Sequence, residues 1–511
     1  MTRAARWAFR ASLAAVAVAV VLWPPHTVDG PAHVLGARVL ADWSGHGIYR
    51  ELYVRDAFPT PNLASSWLLA ALVKAGSLRA AETAVQLACV LGLPLALRYA
   101  VRGVRGESAW LALAAVPLSF GYLFCYGFYN FCLGMALCLV CAGWALRYAP
   151  AWSPRAIAGL AALLVATWFT HLVPFALALL YVGALALAGP RTVRAYAAPA
   201  LAALPGLALT AAYVAHTRQG EGPAWSGVPG LAAGLVTLQA PLVTYTRAEL
   251  VVSVGLAAGL VALGVRAARA RAGGGRGPLL ALALATALYL AAPNSFGVDF
   301  GLINERLSYF PVLFGVLWLA ATPWGPRVAA GGTVALVAAA AVLFAVRVPD
   351  LRAYDRLADE YASAARWVPP GSALVALRYA EFAPGGGRNA HFDPVRHLSS
   401  GLAAATHSVD VGHYEAVFDY FPAQFRPGRD LRRAIDPTLA GLPAVPPQVD
   451  LGAAERLAGR RIDVVLLVGA DRGDEAPGSA AAAAAVRAWL GAHGYARAGV
   501  TGPSGLVEVW K

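Results

Sequence analysis

The chain has 511 residues, of which 59% are hydrophobic and only 14% are charged, and its mean hydropathy is +0.58. These values exclude an ordinary soluble enzyme and indicate a polytopic α-helical membrane protein. The formal net charge of +13 does not indicate a nucleic-acid partner, because the arginines cluster at the ends of apolar segments instead of forming one basic face.

The chain begins with a basic and then apolar segment. Arg3, Arg6 and Arg10 precede an apolar run at residues 11–23, as in a secretory signal, but Pro24-Pro25-His26 supplies no small-residue cleavage site. We therefore expect an uncleaved first helix whose N-terminus lies in the cytoplasm.

An aspartate follows this first helix in the stretch His26-Thr27-Val28-Asp29-Gly30-Pro31-Ala32-His33. Ionisable groups at the edge of a bilayer are costly and are usually retained for a task, so Asp29 and His33 are candidate catalytic residues. Two alternatives stay open: Asp29 caps a helix that starts near Pro31, or His33 only sits at the level of the lipid headgroups.

The loop between the first span and residue 79 contains two helical patterns, at residues 32–42 and 63–74. Counting residues 63–74 as a span would reverse the arginine pattern that follows. We therefore predict that both helices lie in the outer membrane interface, with Trp43 and Trp67 as anchors.

Eleven apolar segments are candidates for membrane spans when a window of about 20 residues is used. They cover residues 8–23, 80–101, 108–122, 127–148, 156–170, 172–188, 194–215, 249–267, 278–293, 304–321 and 328–346. Arginines gather in alternate loops, which defines the cytoplasmic side. An odd number of spans places everything after about residue 348 on the outer side.

From about residue 350 the composition changes, since charged residues, Pro and Gly become frequent and apolar runs shrink to strand length. The pattern predicts helices at 355–367 and 479–490 and strands at 373–377, 464–468 and 506–510. We therefore predict two parts: a transmembrane domain at 1–348, with the loop 24–79, and a soluble extracytoplasmic α/β domain at 349–511.

Five further polar residues share the outer face in this topology. They are Tyr126, Asn130, His171, Glu305 and Arg306. An arginine there can hold a phosphate bidentately, so we assign Arg306 to phosphate binding and the others to substrate contacts. The alternatives are interfacial anchoring for Tyr126 and Asn130, a polar filler at a helix break for His171, and pairing with headgroups for Glu305 or Arg306.

The C-terminal region has its own histidines, His391, His397, His407 and His413, interspersed with carboxylates. Their spacing fits no common zinc pattern, so no metal site is predicted. We expect this region to help close a membrane-facing cleft, with Tyr414, Phe418, Tyr420 and Phe421 packing near the interface.

In layout and in the motif Asp29-Gly30-Pro31-Ala32-His33, the chain resembles the GT-C superfamily of integral-membrane glycosyltransferases, in particular the bacterial members that use polyprenyl-phosphate sugars. The resemblance implies an inverting transfer of a sugar from this carrier to a glycan, lipid or protein acceptor outside the bacterial cytoplasmic membrane. It makes Asp29 the base and Arg306 the phosphate ligand, both lining one outward cleft. Many relatives have two adjacent acidic residues, whereas Gly30 follows Asp29 here.

No cofactor is predicted, and a divalent metal ion stays an open alternative. A second class of function also stays open, namely a carrier or flippase for lipid-linked intermediates or a non-catalytic protein of envelope assembly. A transporter should carry ionisable groups in the middle of its spans, often with broken helices, whereas the charges of this sequence collect at segment ends.

Overall fold

The computed structural model describes residues 2–217, 222–270, 275–296, 301–380, 382, 393, 395–428, 431, 445–447, 449–471 and 478–511. The chain divides into two compact units. Unit 1 comprises Met1–Pro24, Pro59–Ser65 and Thr83–Val348, and unit 2 comprises Pro25–Phe58, Ser66–Glu82 and Pro349–Lys511.

The described α-helices are listed in chain order. They are α1 (Arg3–Leu22), α2 (Gly30–Ala41), α3 (Gly47–Leu52), α4 (Leu63–Ala75), α5 (Leu78–Val104), α6 (Ala115–Ser119), α7 (Tyr122–Tyr126), α8 (Tyr129–Tyr148), α9 (Pro154–Thr170), α10 (Leu172–Ala188), α11 (Val193–His216), α12 (Val228–Val236), α13 (Gln239–Leu242), α14 (Glu249–Ala270), α15 (Arg276–Ala291), α16 (Ile303–Leu307), α17 (Tyr309–Leu319), α18 (Pro326–Ala362), α19 (Leu398–Ala405), α20 (Leu451–Ala458) and α21 (Ser479–Ala492). Turns of 3-10 helix cover Gly106–Ala114, Ser363–Trp367 and Tyr414–Val417.

The described strands are short. They are β1 (Tyr53–Arg55), β2 (Pro223–Ala224), β3 (Ser295–Phe296), β4 (Ala373–Arg378), β5 (Val409–Asp410), β6 (Ala423–Phe425), β7 (Val464–Val468), β8 (Arg497–Val500) and β9 (Val507–Trp510).

The protein is a helical membrane protein. Within the described residues, seven helical segments are long and apolar enough to cross a bilayer: α1, α5, residues 106–126, α8, α11, α14 and the segment that begins with α18. Each of the eleven apolar runs found in the sequence is helical over most of its length. Helix α12 is apolar as well, and the sequence analysis did not predict it.

The third apolar segment is a broken helix. A 3-10 turn leads into α6, which ends at Phe120, and α7 starts after Gly121. A Cβ atom on Gly121 would collide with the hydroxyl of Tyr309 and the carbonyl of Pro241, so only glycine fits at the break.

A buried ion pair satisfies the backbone groups at this break. Arg347 is 3% exposed and Glu249 is fully buried, and Nη2 of Arg347 lies 2.8 Å from Oε2 of Glu249. The same guanidinium donates to the carbonyls of Phe120 and Leu242. Because an unpaired carbonyl in an apolar environment is costly, Arg347 stabilises the irregular backbone of unit 1.

Glu249 is fixed by its own segment. Its carboxylate accepts hydrogen bonds from the backbone N–H groups of Thr244, Tyr245 and Thr246 at 2.9, 2.7 and 3.0 Å. The charge pair is therefore fully hydrogen-bonded, which is the condition for ions buried in an apolar interior.

Unit 2 contains a five-stranded mixed sheet in the order β5-β4-β7-β9-β8. Strand β4 pairs in parallel with β5 and β7, and β9 pairs antiparallel with β7 and β8. The central strand β7 has the sequence VVLLV and is buried at every position, as expected for a strand covered on both faces. The strands predicted at 373–377, 464–468 and 506–510 are present.

Two elements of unit 2 differ from the sequence analysis. Helix α2, predicted to lie in the membrane interface, is mostly buried by protein: nine of its residues, among them Ala32, Val34 and Leu35, are buried, and it packs on α19. The apolar run at 328–346 and the amphipathic helix expected from Asp355 are one continuous helix, α18, because Pro349 does not end it.

Replacing Arg347 by Met should lower the free energy of unfolding of the detergent-solubilised protein by about 3–5 kcal/mol, because Glu249 is left charged and unpaired. Thermal unfolding of the purified protein measures this. Arg327→Met is the matched control, since Arg327 is exposed on the same helix α18.

Replacing both partners, as Arg347→Met with Glu249→Met, should recover part of the loss because no unpaired charge remains. Equal unfolding midpoints for Arg347→Met and Arg327→Met would contradict the role of this ion pair.

Candidate functional site

Asp29 occupies the N-cap position of α2, yet its carboxylate makes no capping hydrogen bond. Only the backbone carbonyl of Asp29 accepts from the helix, from the N–H groups of Ala32 at 3.0 Å and His33 at 3.1 Å. The alternative in which the side chain caps the helix is therefore wrong. The side chain points instead to partners that are distant in sequence.

Those partners come from the C-terminal part of unit 2. Tyr414 donates a hydrogen bond to the Asp29 carboxylate, and Nε2 of His397 lies 3.5 Å from Oδ1. The rings of His397 and Tyr414 pack on each other with centroids 4.6 Å apart. Asp29 is only 5% exposed, so its charge is held in a region that excludes most water.

Burial raises the pKa of Asp29 from 3.8 to about 6, although the charges of His33 and Arg396 and the hydrogen bond from Tyr414 oppose the shift. A carboxyl group with this pKa exchanges a proton near neutral pH, which is the property required of a general base or acid.

His33 lies one turn after Asp29 and binds a second buried carboxylate. Its Nδ1 atom forms an ion pair with Oε1 of Glu415, and Nε2 of His413 lies 3.7 Å from Oε2. Nδ1 of His413 in turn lies 3.2 Å from the hydroxyl of Tyr53. Tyr53, His413, Glu415 and His33 therefore form a buried polar chain that ends beside Asp29.

The environment of Glu415 has the opposite effect from that of Asp29. Burial alone would raise the pKa of Glu415, but the charge and hydrogen bond of His33, together with His413, outweigh it and hold the pKa at about 2. Two neighbouring carboxyl groups thus have widely separated pKa values, a pattern typical of sites that divide acid and base roles.

Close packing of short residues brings these groups together. An added Cβ on Gly36 of α2 would lie 3.0 Å from Oε2 of Glu415, and one on Gly401 of α19 would lie 3.3 Å from Cβ of Pro31. Glycine at both positions therefore lets the Glu415 carboxylate approach α2 and lets Pro31 of α2 approach α19. The antiparallel pair β1 and β6, in which Tyr53 lies opposite Phe425, fixes the other side of the site.

His26, the other histidine near Asp29 in the sequence, has a different partner. Nε2 of His26 lies 3.4 Å from Oδ1 of Asp355 in α18. Of the two histidines that flank Asp29 in the sequence, His33 is therefore the one that joins the buried site.

Four of the predicted substrate residues lie near one another in unit 1. The guanidinium of Arg306 stacks 4.7 Å above the ring of Phe128, whose ring in turn lies 4.9 Å from that of Tyr126. His171 contacts Phe131 edge-on at 5.4 Å and lies within electrostatic range of Arg306. Glu305 precedes Arg306 in the short helix α16.

Some of the predicted substrate residues form hydrogen bonds to backbone groups of unit 1. Nδ1 of His171 accepts from the N–H of Val173 and so caps α10. Asn130 accepts from the N–H of Ser65 and donates to the carbonyl of Asn62, both at 2.7 Å. Nη1 of Arg306 donates to the carbonyl of Gly301 at 2.6 Å. Their roles in substrate binding stay predictions.

Unit 1 also contains an apolar cavity of about 510 Å³. Residues from α14, α15 and α17 line it, including Leu260, Val261, Leu282, Val312 and Trp318. Its walls offer almost no hydrogen-bonding groups, so its occupant should be a hydrocarbon chain.

With this geometry defined, known proteins provide no further assignment. No protein-family model, curated protein or solved structure matches the chain. The function must therefore be argued from the chemistry of the buried groups.

Several residues of the site were missed as site residues in the sequence analysis. His397, His413 and Glu415 were considered only as metal ligands, Tyr414 only as a packing residue, and Tyr53 and Arg396 not at all. Local patterns carry no signal for this site, because it depends on the α2 and α19 contact and on the pairing of β1 with β6. His391 lies outside the described residues.

The expected aromatic packing is present in part. The rings of Phe418 and Tyr420 stack at 5.2 Å, and Tyr420 lies 4.9 Å from Phe421. Phe421 also packs against His33 at 6.2 Å. The aromatic cluster therefore forms an apolar wall beside the site and contributes to the burial that raises the pKa of Asp29.

Asp29→Asn should stabilise the protein above pH 6. Because the folded pKa of Asp29 lies above its unfolded value, ionisation destabilises the fold progressively between pH 3.8 and about 6 and fully above that. A shift of this size corresponds to at most about 3 kcal/mol, which Asn should recover at pH 8 and not at pH 4. Unfolding of the purified protein across this pH range measures the effect.

Glu415→Gln is the opposing control. The pKa of Glu415 is lowered from 4.5 to about 2, so its stabilisation is present above pH 4.5 and is lost as the pH falls towards 2. Glu415→Gln should therefore destabilise the protein at pH 8. If Asp29→Asn and Glu415→Gln shifted stability in the same direction at that pH, the assignment of a raised pKa to Asp29 and a lowered pKa to Glu415 would be wrong.

Proposed function

We propose that the protein is an integral-membrane glycosyltransferase that moves a sugar from a polyprenyl-phosphate carrier to an acceptor on the outer side of the bacterial cytoplasmic membrane. The observation that carries this proposal is Asp29, a buried carboxyl group with a pKa of about 6 that makes no cap for its own helix. A buried ionisable group with such a pKa, placed beside Tyr414 and His397, is typical of a functional site.

The chemistry is an inverting displacement. The acceptor hydroxyl attacks the anomeric carbon of the sugar while its proton moves to the carboxylate of Asp29. The bond between the anomeric carbon and the phosphate oxygen breaks, and polyprenyl phosphate leaves with the bonding electrons. His33 and Glu415 keep a compensating ion pair beside Asp29, so the base remains the one carboxylate of the two that can take up a proton near neutral pH.

The carrier phosphate needs a cation, and two arginines are candidates for this role. We assign Arg306 in unit 1 to this role, with Tyr126, Asn130, His171 and Glu305 as neighbouring substrate contacts. Arg396 in unit 2, whose charge acts on Asp29, is a second cation that the sequence analysis missed. An arginine binds a phosphate through two parallel N–H groups, which supports this choice. The apolar cavity of unit 1 supports an isoprenoid carrier, whose tail is pure hydrocarbon.

We further propose eleven crossings, with a cytoplasmic N-terminus and an extracytoplasmic C-terminal α/β domain. This adds α9, α10, α15 and the pair α16 and α17 to the seven long apolar segments. The alternation of arginine-rich loops supports the orientation.

The second candidate function is a carrier or flippase for lipid-linked intermediates. The broken segment at Gly121 and the buried pair of Arg347 and Glu249 favour it, since transporters use broken helices and intramembrane charges. However, these two charges are saturated by each other and by backbone groups, which indicates a structural role. A non-catalytic part in envelope assembly is the remaining alternative.

Asp29→Asn should lower the rate of sugar transfer about 10²- to 10⁴-fold, because the base is lost while the shape of the site is kept. The assay offers a panel of polyprenyl-phosphate sugars and acceptors to the purified protein. In the parent protein, kcat/KM should rise as the pH passes about 6, where Asp29 loses its proton.

Asp471→Asn is the matched control, because Asp471 is an exposed aspartate in the same unit. Full turnover in Asp29→Asn would rule out this residue as the base. Transport of a lipid-linked sugar by the parent, without transfer from any donor, would favour the carrier.

Arg306→Met should lower kcat/KM for the donor about ten- to a hundredfold while the KM for the acceptor stays the same, since one charged contact to phosphate is lost. Arg276→Met, at an exposed position of the same unit, should have no effect. Unchanged donor kinetics in Arg306→Met would remove this residue from the phosphate site and leave Arg396 as the cation to test.

A further inference from the structure

Three metal-binding side chains meet at the other end of the helices that carry Asp29 and His397. Asp42 follows the last residue of α2, His46 precedes the first residue of α3, and His407 lies two residues after α19. One donor atom from each of these three side chains lies within 4.8 Å of the other two. Around a tetrahedral ion with bonds of about 2 Å, ligand atoms lie roughly 3.4 Å apart, so small side-chain rotations bring these three donors onto one ion.

The two imidazoles are already side by side. The rings of His46 and His407 stack with centroids 4.4 Å apart and an interplanar angle of 24°. Nδ1 of His407 lies 3.3 Å from Oδ2 of Asp42. All three residues are partly exposed, so an ion can reach them from solvent.

The backbone holds His407 in an uncommon conformation. Its φ of +53° lies in the left-handed region, which a residue with a Cβ atom rarely adopts. A left-handed residue at this position commonly ends a helix, and here the N–H of Ser408 donates to the carbonyl of Ala403 at 2.8 Å. Here the conformation turns the chain at the end of α19 and places the imidazole beside Asp42.

We propose that Asp42, His46 and His407 bind a zinc ion. Two imidazole nitrogens and one carboxylate oxygen are a ligand set that Zn²⁺ accepts, whereas Mg²⁺ and Ca²⁺ prefer oxygen ligands throughout. A fourth position remains for water or a further ligand.

The surroundings of Asp42 fit this role. Nη1 of Arg38, one turn earlier on α2, donates to Oδ2 of Asp42 at 2.9 Å. This contact orients the carboxylate, as outer hydrogen bonds do at metal sites. The competing explanation is a plain ion pair between Asp42 and protonated His407, which binds no metal.

The bound ion would join the C-terminal ends of α2 and α19. The N-terminal ends of the same two helices carry Asp29 and His397, which lie 3.5 Å apart. Zinc would thus brace the helix pair at the end opposite the buried carboxylate. This inference does not depend on the proposed transfer reaction, because metal binding is measured directly.

The test uses tag-free full-length protein in detergent, stripped with a chelator, and titrates Zn²⁺ by calorimetry. We expect one saturable Zn²⁺ per chain that a roughly 1,000-fold excess of Mg²⁺ does not displace, because Mg²⁺ prefers oxygen ligands throughout. His46→Gln, His407→Gln and Asp42→Asn should each weaken binding by about 100-fold or more, since each removes a direct ligand. Co²⁺ should give a visible absorption band in the parent that these variants lose.

His493→Gln is the matched control, because His493 is a histidine of unit 2 that stacks on Trp489 at 3.9 Å, outside the cluster. It should leave Zn²⁺ affinity unchanged. His46→Gln guards against misfolding, since His46 is partly exposed and makes no side-chain cap for α3. Absence of a saturable site in the parent, or unchanged affinity in both His46→Gln and His407→Gln, would overturn the proposal in favour of the plain ion pair.

Discussion

A buried carboxylate must be paired with a cation or must hold a proton, and this constraint organises unit 2. Glu415 satisfies it by pairing with His33 and His413, so it stays charged. Burial outweighs the hydrogen bond from Tyr414 and the charges of His33 and Arg396 at Asp29, and so this carboxyl group lies near the balance between its two protonation states. The pairing of His33 with Glu415 therefore contributes to the difference between the pKa values of the two carboxyl groups.

The membrane part of the chain meets the same constraint in a different way. In unit 1 the breaks near Gly121 and Leu242 expose carbonyl groups that the bilayer cannot solvate. One guanidinium, that of Arg347, serves both breaks and is neutralised by Glu249. A saturated pair of this kind holds the backbone in one arrangement, whereas in unit 2 the imidazoles pair with Glu415 and burial raises the pKa of Asp29.

Much of the helical part of the fold could be predicted from the sequence, because apolar runs of membrane length have few alternatives to a helix. Strand β7 could be predicted for a similar reason, since VVLLV is a short, fully apolar run. Helix α2 was misplaced because its composition, rich in Ala, Val and Leu, is the same for burial by protein as for burial by lipid. Periodicity alone cannot distinguish the two.

Only part of the candidate site could be predicted from the sequence. Asp29 and His33 stood out because they interrupt an apolar context, which is a local signal. Glu415, Tyr414 and His397 lie among many polar residues, and their importance follows from the contact of α2 with α19, which no local pattern encodes. Likewise, the spacing of His407 matched no zinc motif because its partners Asp42 and His46 come from the other end of the chain.

The helix pair also explains how the Asp29 carboxyl group stays buried. The burial of Asp29 depends on the contact between α2 and α19, and Gly401 of α19 makes this contact close, because a Cβ atom there would lie 3.3 Å from Cβ of Pro31 in α2. Polar groups lie at both ends of this helix pair: His397 meets Asp29 at one end, and His407 meets Asp42 at the other. In the proposed transfer reaction, a site whose partners are fixed at both ends would lose less of its geometry when the proton moves, because preorganised dipoles need not rearrange.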